Sequence, residues 1–199
     1  MPPWGCTPFS MWHNAASRKI TRKPVSNTLS NSTDPPRETD QMSPPPEAII
    51  IIEFLREQGF EVREDVLSSE SFLPGIAIVE GALVVDWAGS PSPGDLLHEA
   101  GHLALLPPVQ RRAASSRLVT DGGYEMGAIA WSYAACLHLA LPPEILFHDA
   151  GYKGGALALR ENFSAGRYIG VPMLVWLGLA TGDAPDCGGY PKMRQWRVN

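Results

Sequence analysis

Residues 94–105 read GDLLHEAGHLAL and carry two of the chain's five histidines, four positions apart, with a glutamate after the first. In a helix, His98 and His102 project from one face a single turn apart, so both imidazoles can address one ion. Glu99 sits about 100° round from His98, placed to reach a water at that ion without ligating it. This is the pattern of a zinc hydrolase: the metal draws the pKa of its water toward roughly 7 and polarises a carbonyl, while the carboxylate carries the proton to the leaving amine. On an exposed helix the same three residues would be a solvated face and nothing more. Here Leu96, Leu97, Ala100, Gly101, Leu103, Ala104, Leu105 and Leu106 make the helix apolar nearly all round, which is a pattern of burial. Buried imidazoles and a buried carboxylate left unpaired would cost several kcal/mol, and one cation satisfies all three.

A catalytic zinc takes three protein ligands, so a third is required. The continuation after His102 places Leu105 and Pro108 where the metzincin spacing needs glycine and histidine, which excludes that class. Glu125, in GGYEMGAIAWSYAA, is the best candidate. On its helix it shares a face with Ala128, Ile129 and Ser132, with Cys136 further along, and small residues there let two helices approach closely. A glutamate in a first helical turn is also favoured by the helix dipole without any metal. His138 lies about 220° round the same helix from Glu125, so it reads as a core histidine. His148 and Tyr152, in FHDAGYKG, are candidates for donating to a developing oxyanion, although local hydrogen bonding explains them equally well. Asp121 reads as a helix cap, with orientation of a ligand histidine as the alternative.

Around this motif the elements follow from local signals. SPPPEAIIIIEFLREQG predicts a helix that starts after Ser43 and stops at Gly59: its flanking residues are good helix formers, which outweighs the strand propensity of four isoleucines. A strand is expected over 60–66, then a hairpin in GIAIVEGALVVDW with its turn at Glu80-Gly81. The motif helix is expected over 91–106, with Ser92, Pro93 and Asp95 forming its start. After a linker holding Arg111, Arg112 and Arg117, a second helix runs from near Asp121 to Pro142. A short helix in PPEILFHDAGY follows, then one over 162–180, then an irregular or extended tail.

Composition bounds the rest. The first 43 residues are rich in Ser, Thr, Asn and Pro, with 9 of the 19 prolines falling before residue 47, and read as a disordered tail ahead of one domain, 44–199. A formal charge of −5 gives no reason to expect nucleic-acid binding. The three cysteines, Cys6, Cys136 and Cys187, are odd in number and scattered, which suits a reducing cytoplasm. The N-terminus lacks the apolar run and cleavage site of a secretory signal. The longest stretch free of charged residues, 126–143, is interrupted by Ser132, His138 and a proline pair and reads as a buried helix rather than a membrane span.

His-Glu-Ala-Gly-His after a strand, then a helix of the form Glu-x-x-Ala-x-Ala-x-x-Tyr-Ala-Ala ending in Leu-Pro-Pro-Glu, resembles the ImmA/IrrE metallopeptidases over roughly residues 47–147. The resemblance implies a compact zincin-like α+β domain in which a small twisted sheet or hairpin packs on the motif helix and a second helix bears the glutamate. It implies zinc ligation by His98, His102 and Glu125 and general acid/base work by Glu99. It also implies a cytoplasmic protease whose protein substrate is often a DNA-binding repressor. Many members carry a helix-turn-helix segment; the first 43 residues are too short and irregular to be one, and residues 148–199 have no counterpart. The expected substrate cleft lies between the two motif helices and the hairpin, with peptide backbone pairing along residues 82–86. Two other readings stay open: a non-catalytic, metal-stabilised interaction module, and a hydrolase of a non-peptide amide.

Overall fold

The isoleucine run folds as a helix, α1 (Pro46–Glu57), in a computed structural model that describes residues 43–67, 73–115, 122–182 and 189–199. Ala48, Ile51, Ile52 and Leu55 are buried, whereas Ile49 and Ile50 are exposed. Helical spacing thus decides which isoleucines reach the core. Gly59, with φ +78°, ends the helix as expected. The tail ahead of residue 43 and the expected cap at Asp121 lie outside the described residues.

The strand expected over 60–66 shortens to β1 (Val62–Glu64), and the hairpin forms from β2 (Ile76–Val79) and β3 (Ala82–Val85). Its turn residues Glu80 and Gly81 both adopt positive φ, 50° and 78°, the two-residue geometry that suits the twist of a hairpin. A Cβ on residue 81 would fall 2.3 Å from the Arg111 carbonyl, so only glycine fits there. The strand order is β1-β3-β2: β3 pairs parallel with β1 and antiparallel with β2. This overturns the expected pairing of substrate along residues 82–86, because β3 is the central strand and both its edges are already taken. Among the described residues, the outer strands of the sheet are β1 and β2.

The motif helix is α2 (Pro93–Leu105), buried at Leu96, Leu97, Ala100, Gly101, Leu103, Ala104 and Leu105. Its start differs from expectation: Ser92 makes no side-chain cap bond, and the Asp95 carboxylate pairs elsewhere. Part of the expected linker is a short helix, α3 (Pro108–Arg112). The glutamate helix, α4 (Gly122–His138), is buried continuously from Gly127 to Cys136. It is followed by α5 (Pro143–Leu146), α6 (Ala156–Ser164) and α7 (Val171–Trp176). The single helix expected over 162–180 reduces to α7: α6, which was not expected, already ends at Ser164 ahead of Gly166 at φ +73°, and Gly170, at φ +88°, caps the start of α7, a conformation only glycine adopts freely. Mixed α and β, with seven helices and a three-stranded sheet among the described residues, the architecture agrees with an α+β class.

Helices α2 and α4 form the centre. A Cβ on residue 101 would sit 2.8 Å from the Ala128 carbonyl and 3.0 Å from Ser132 Oγ, so Gly101 lets the two backbones meet. The buried Ser132 hydroxyl lies 2.7 Å from the Ala128 carbonyl and 3.0 Å from that of Leu97, tying α4 to α2. The tail is irregular but firmly held: Trp131 Nε1 donates to the Trp196 carbonyl at 2.9 Å, Val198 N to Ala104 at 2.9 Å, and Tyr190 to Ala130 at 2.6 Å. Arg111 donates to the carbonyls of Leu103 (2.9 Å), Leu106 (2.8 Å) and Val198, binding the end of α2 to the chain terminus. His138 is not in the core: it is exposed, with its ring 5.5 Å from Phe54 and 5.2 Å from Trp196. No helix among the described residues is long and apolar enough to cross a membrane.

Candidate metal centre

Because Gly101 and Ala128 let α2 and α4 pack backbone to backbone, a glutamate in the first turn of α4 can reach across to histidines on α2. The structure brings these residues together. His98 Nε2 and His102 Nε2 are 3.1 Å apart; Glu125 Oε1 is 3.3 Å from the first and Oε2 is 3.4 Å from the second. For ligands about 2.0–2.1 Å from a tetrahedral zinc, neighbouring donor atoms are separated by roughly 3.3 Å. All three separations are close to that value.

A second triad uses the same imidazoles: ligand atoms of His98, Glu99 and His102 all lie within 4.8 Å of one another. Glu99 and Glu125 therefore compete for the third position. The contacts favour Glu125, whose two oxygens each face one Nε2, while Glu99, adjacent to His98 on α2, borders the same space from the side.

Electrostatics separate the roles. Burial pushes the Glu99 carboxyl above its ordinary range; His98 opposes this, and the carboxylates of Asp95 and Glu125 add to it. A carboxylate held in this way has a stronger hold on a proton, which is what a general base needs. Burial, helped by His98, pushes His102 below the ordinary imidazole value, against the pull of Glu125. His102 is thus kept neutral, the form in which an imidazole ligates a metal. Both Nδ1 atoms are buried without a hydrogen-bond partner among the described residues. Asp121, a sequence candidate for orienting one of them, lies outside those residues.

Two relationships were not anticipated. Asp95, one turn before His98 and expected to serve the helix start, accepts from or pairs with His148 Nε2 at 2.9 Å. The i, i+3 spacing of Asp95 and His98 was the available signal, since it sets the carboxylate on the metal-facing side of α2. This pair fixes the segment after α5 against the start of α2, and Tyr152 follows. Its ring meets His98 edge to face at 5.4 Å and Phe147 at 5.5 Å. The Tyr152 hydroxyl is buried without a hydrogen-bond partner among the described residues, and Tyr152 itself is held at φ +54°. Burial raises its pKa, with Asp95, Glu125, Cys136 and Glu99 adding to the effect.

Cys136 stands apart from this chemistry: it is buried, donates to the Leu141 carbonyl at 3.3 Å, and burial pushes its thiol up to about 12. Compared with known protein families, curated proteins and solved structures, the chain matches none.

Proposed function

We propose that the protein is a zinc-dependent metallopeptidase with a zincin-like site, in which His98, His102 and Glu125 hold the metal and Glu99 is the general base. The observation that carries this reading is the approach of Glu125, from a different helix, to both Nε2 atoms at 3.3 and 3.4 Å. A half-buried carboxylate and two largely buried imidazoles, one of them kept neutral, fit the donor set of a catalytic zinc with one position left for water. When bound, zinc supplies Lewis acidity toward the scissile carbonyl and toward a water. Glu99 takes a proton from that water as its oxygen adds to the carbonyl carbon, and returns the proton to the amide nitrogen as the C–N bond breaks. The burial of Glu99 limits its contact with bulk water, which maintains its raised proton affinity.

The sequence likeness to ImmA/IrrE metallopeptidases supports a protein substrate and makes a DNA-binding repressor in the cytoplasm the first to try. The test pairs metal analysis with catalysis. Purified full chain should carry about one zinc, and His98→Ala should lose it; less than about half an equivalent under metal-replete conditions overturns the reading. Glu99→Gln should keep the zinc and abolish cleavage. Full zinc occupancy with no peptide hydrolysis would instead favour a metal-stabilised interaction module.

A further inference from the structure

We infer that the Tyr152 hydroxyl is the hydrogen-bond donor to the scissile carbonyl oxygen as it becomes an oxyanion, while His148, paired with Asp95, positions the segment that carries it. The inference rests on the peptidase reading of the same site and assigns it a further catalytic residue.

The sequence leaves His148 and Tyr152 as equal candidates, and the structure separates them. His148 Nε2 is engaged by Asp95 Oδ1 at 2.9 Å, so the proton it would offer to a substrate is already in use. The Tyr152 hydroxyl is buried and has no partner among the described residues, although its ring packs edge to face on the ligand His98 at 5.4 Å. A buried hydroxyl without a partner is unfavourable, because it has lost water and gained nothing. It makes sense where a ligand atom arrives to accept from it. The hydroxyl is a donor at neutral pH, since a phenol is protonated well above it. An acceptor that gains negative charge during reaction is the one it would stabilise most.

The backbone is consistent with a fixed donor. Gly151 N donates to the His148 carbonyl at 3.0 Å, and Gly155 N to that of Tyr152 at 2.9 Å, so hydrogen bonds close on both sides of Tyr152. With the Asp95–His148 contact, these bonds attach the donor to the helix that bears His98 and Glu99. In the reaction, the water oxygen bonds to the carbonyl carbon, the C=O pair moves onto oxygen, and the water proton goes to Glu99. The phenol keeps its own proton throughout and supplies only a hydrogen bond.

The experiment compares zinc-loaded full chain with Tyr152→Phe, which removes one oxygen atom. A proteome-derived peptide library identifies the best-cut peptide, on which kcat and KM are measured; a peptide phosphonamidate, whose tetrahedral oxygens resemble the oxyanion, is titrated into both proteins. Zinc content and Tm should match the wild type or, for Tm, rise, because the lost hydroxyl had no partner. The kcat should fall roughly 100-fold or more with KM little changed. Affinity for the phosphonamidate should fall by a similar factor. If Tyr152→Phe retains wild-type kcat and phosphonamidate affinity, Tyr152 is not the donor and the peptidase reading stands. A lowered Tm with unchanged phosphonamidate affinity assigns the hydroxyl a structural role and likewise overturns the inference. Should the wild type cut nothing in the library and fail to bind the phosphonamidate, the peptidase reading falls and this inference falls with it.

Discussion

His102 Nε2 lies 3.4 Å from Glu125 Oε2, across the contact between two helices that no local sequence signal requires to touch there. Removing that carboxylate tests whether it is a ligand or only a helix-start residue. Glu125→Ala should weaken zinc binding by more than about 100-fold, beyond what the loss of an outer, orienting partner typically costs. Competition against a chelator of known affinity gives the value. Unchanged zinc affinity would assign Glu125 to the helix dipole alone.

Glu99 should show a trade between stability and function. Its carboxyl is raised by burial, so above its folded pKa the ionised group is held at a cost to the folded state. Glu99→Gln removes that charge while keeping the shape. Its Tm at neutral pH should equal or exceed that of the wild type, while kcat falls by roughly 100-fold to 10,000-fold. A clear loss of Tm would contradict the electrostatic account of this residue.

Acid should destabilise the metal-free chain through His102. The folded-state pKa of this group lies below its ordinary value of 6.5, so the unfolded chain binds more protons as pH drops below 6.5. Stability at His102 is therefore intact above that pH and is lost progressively as pH falls from 6.5 toward the lowered folded value. Thermal melts of chelator-treated protein between pH 8 and 5 should show a decline that His102→Gln reduces. Bound zinc should steepen the decline, because protons and metal compete for the same nitrogen.

Gly101 links packing to the site. Alanine there gains up to about 1 kcal/mol of helix propensity but drives a methyl to within 2.8 Å of the Ala128 carbonyl. Overpacking against backbone typically costs about 1–3 kcal/mol, so Gly101→Ala should lower stability on balance. Separation of α2 from α4 should also weaken zinc binding, since it draws Glu125 away from the histidines. A variant with wild-type Tm and zinc affinity would show that the helices do not need this close approach.

Arg111 offers a control remote from the metal. Its guanidinium serves three carbonyls, those of Leu103, Leu106 and Val198, and burial together with nearby Arg197 lowers its pKa. Arg111→Met keeps much of the apolar stem but leaves carbonyls unpaired, at a cost of about 1–3 kcal/mol. Denaturant titration should register this loss, with zinc affinity of the folded protein unchanged.

The sequence by itself determined the helix that carries His98, Glu99 and His102, the hairpin with its turn at Glu80-Gly81, and Glu125 as the residue to bring to the histidines. These follow from short-range rules: one-turn spacing, apolar periodicity, and turn residues that accept positive φ. Its failures are of another kind. That β3 would be the central strand depends on β1 arriving from earlier in the chain, and parallel pairing leaves no local mark. The break between α6 and α7 runs from Gly166 to Gly170, both at positive φ, and His138 sits exposed at the end of α4 against Phe54 and Trp196, an aromatic contact made by segments distant in sequence. Only the tertiary structure decided that Asp95 pairs with His148 rather than serving the helix start, and that this leaves Tyr152 beside His98 with its hydroxyl unpaired among the described residues. The physical reason is that periodicity fixes which way a side chain faces on its own element, whereas what it meets there is chosen by the packing of other elements against it.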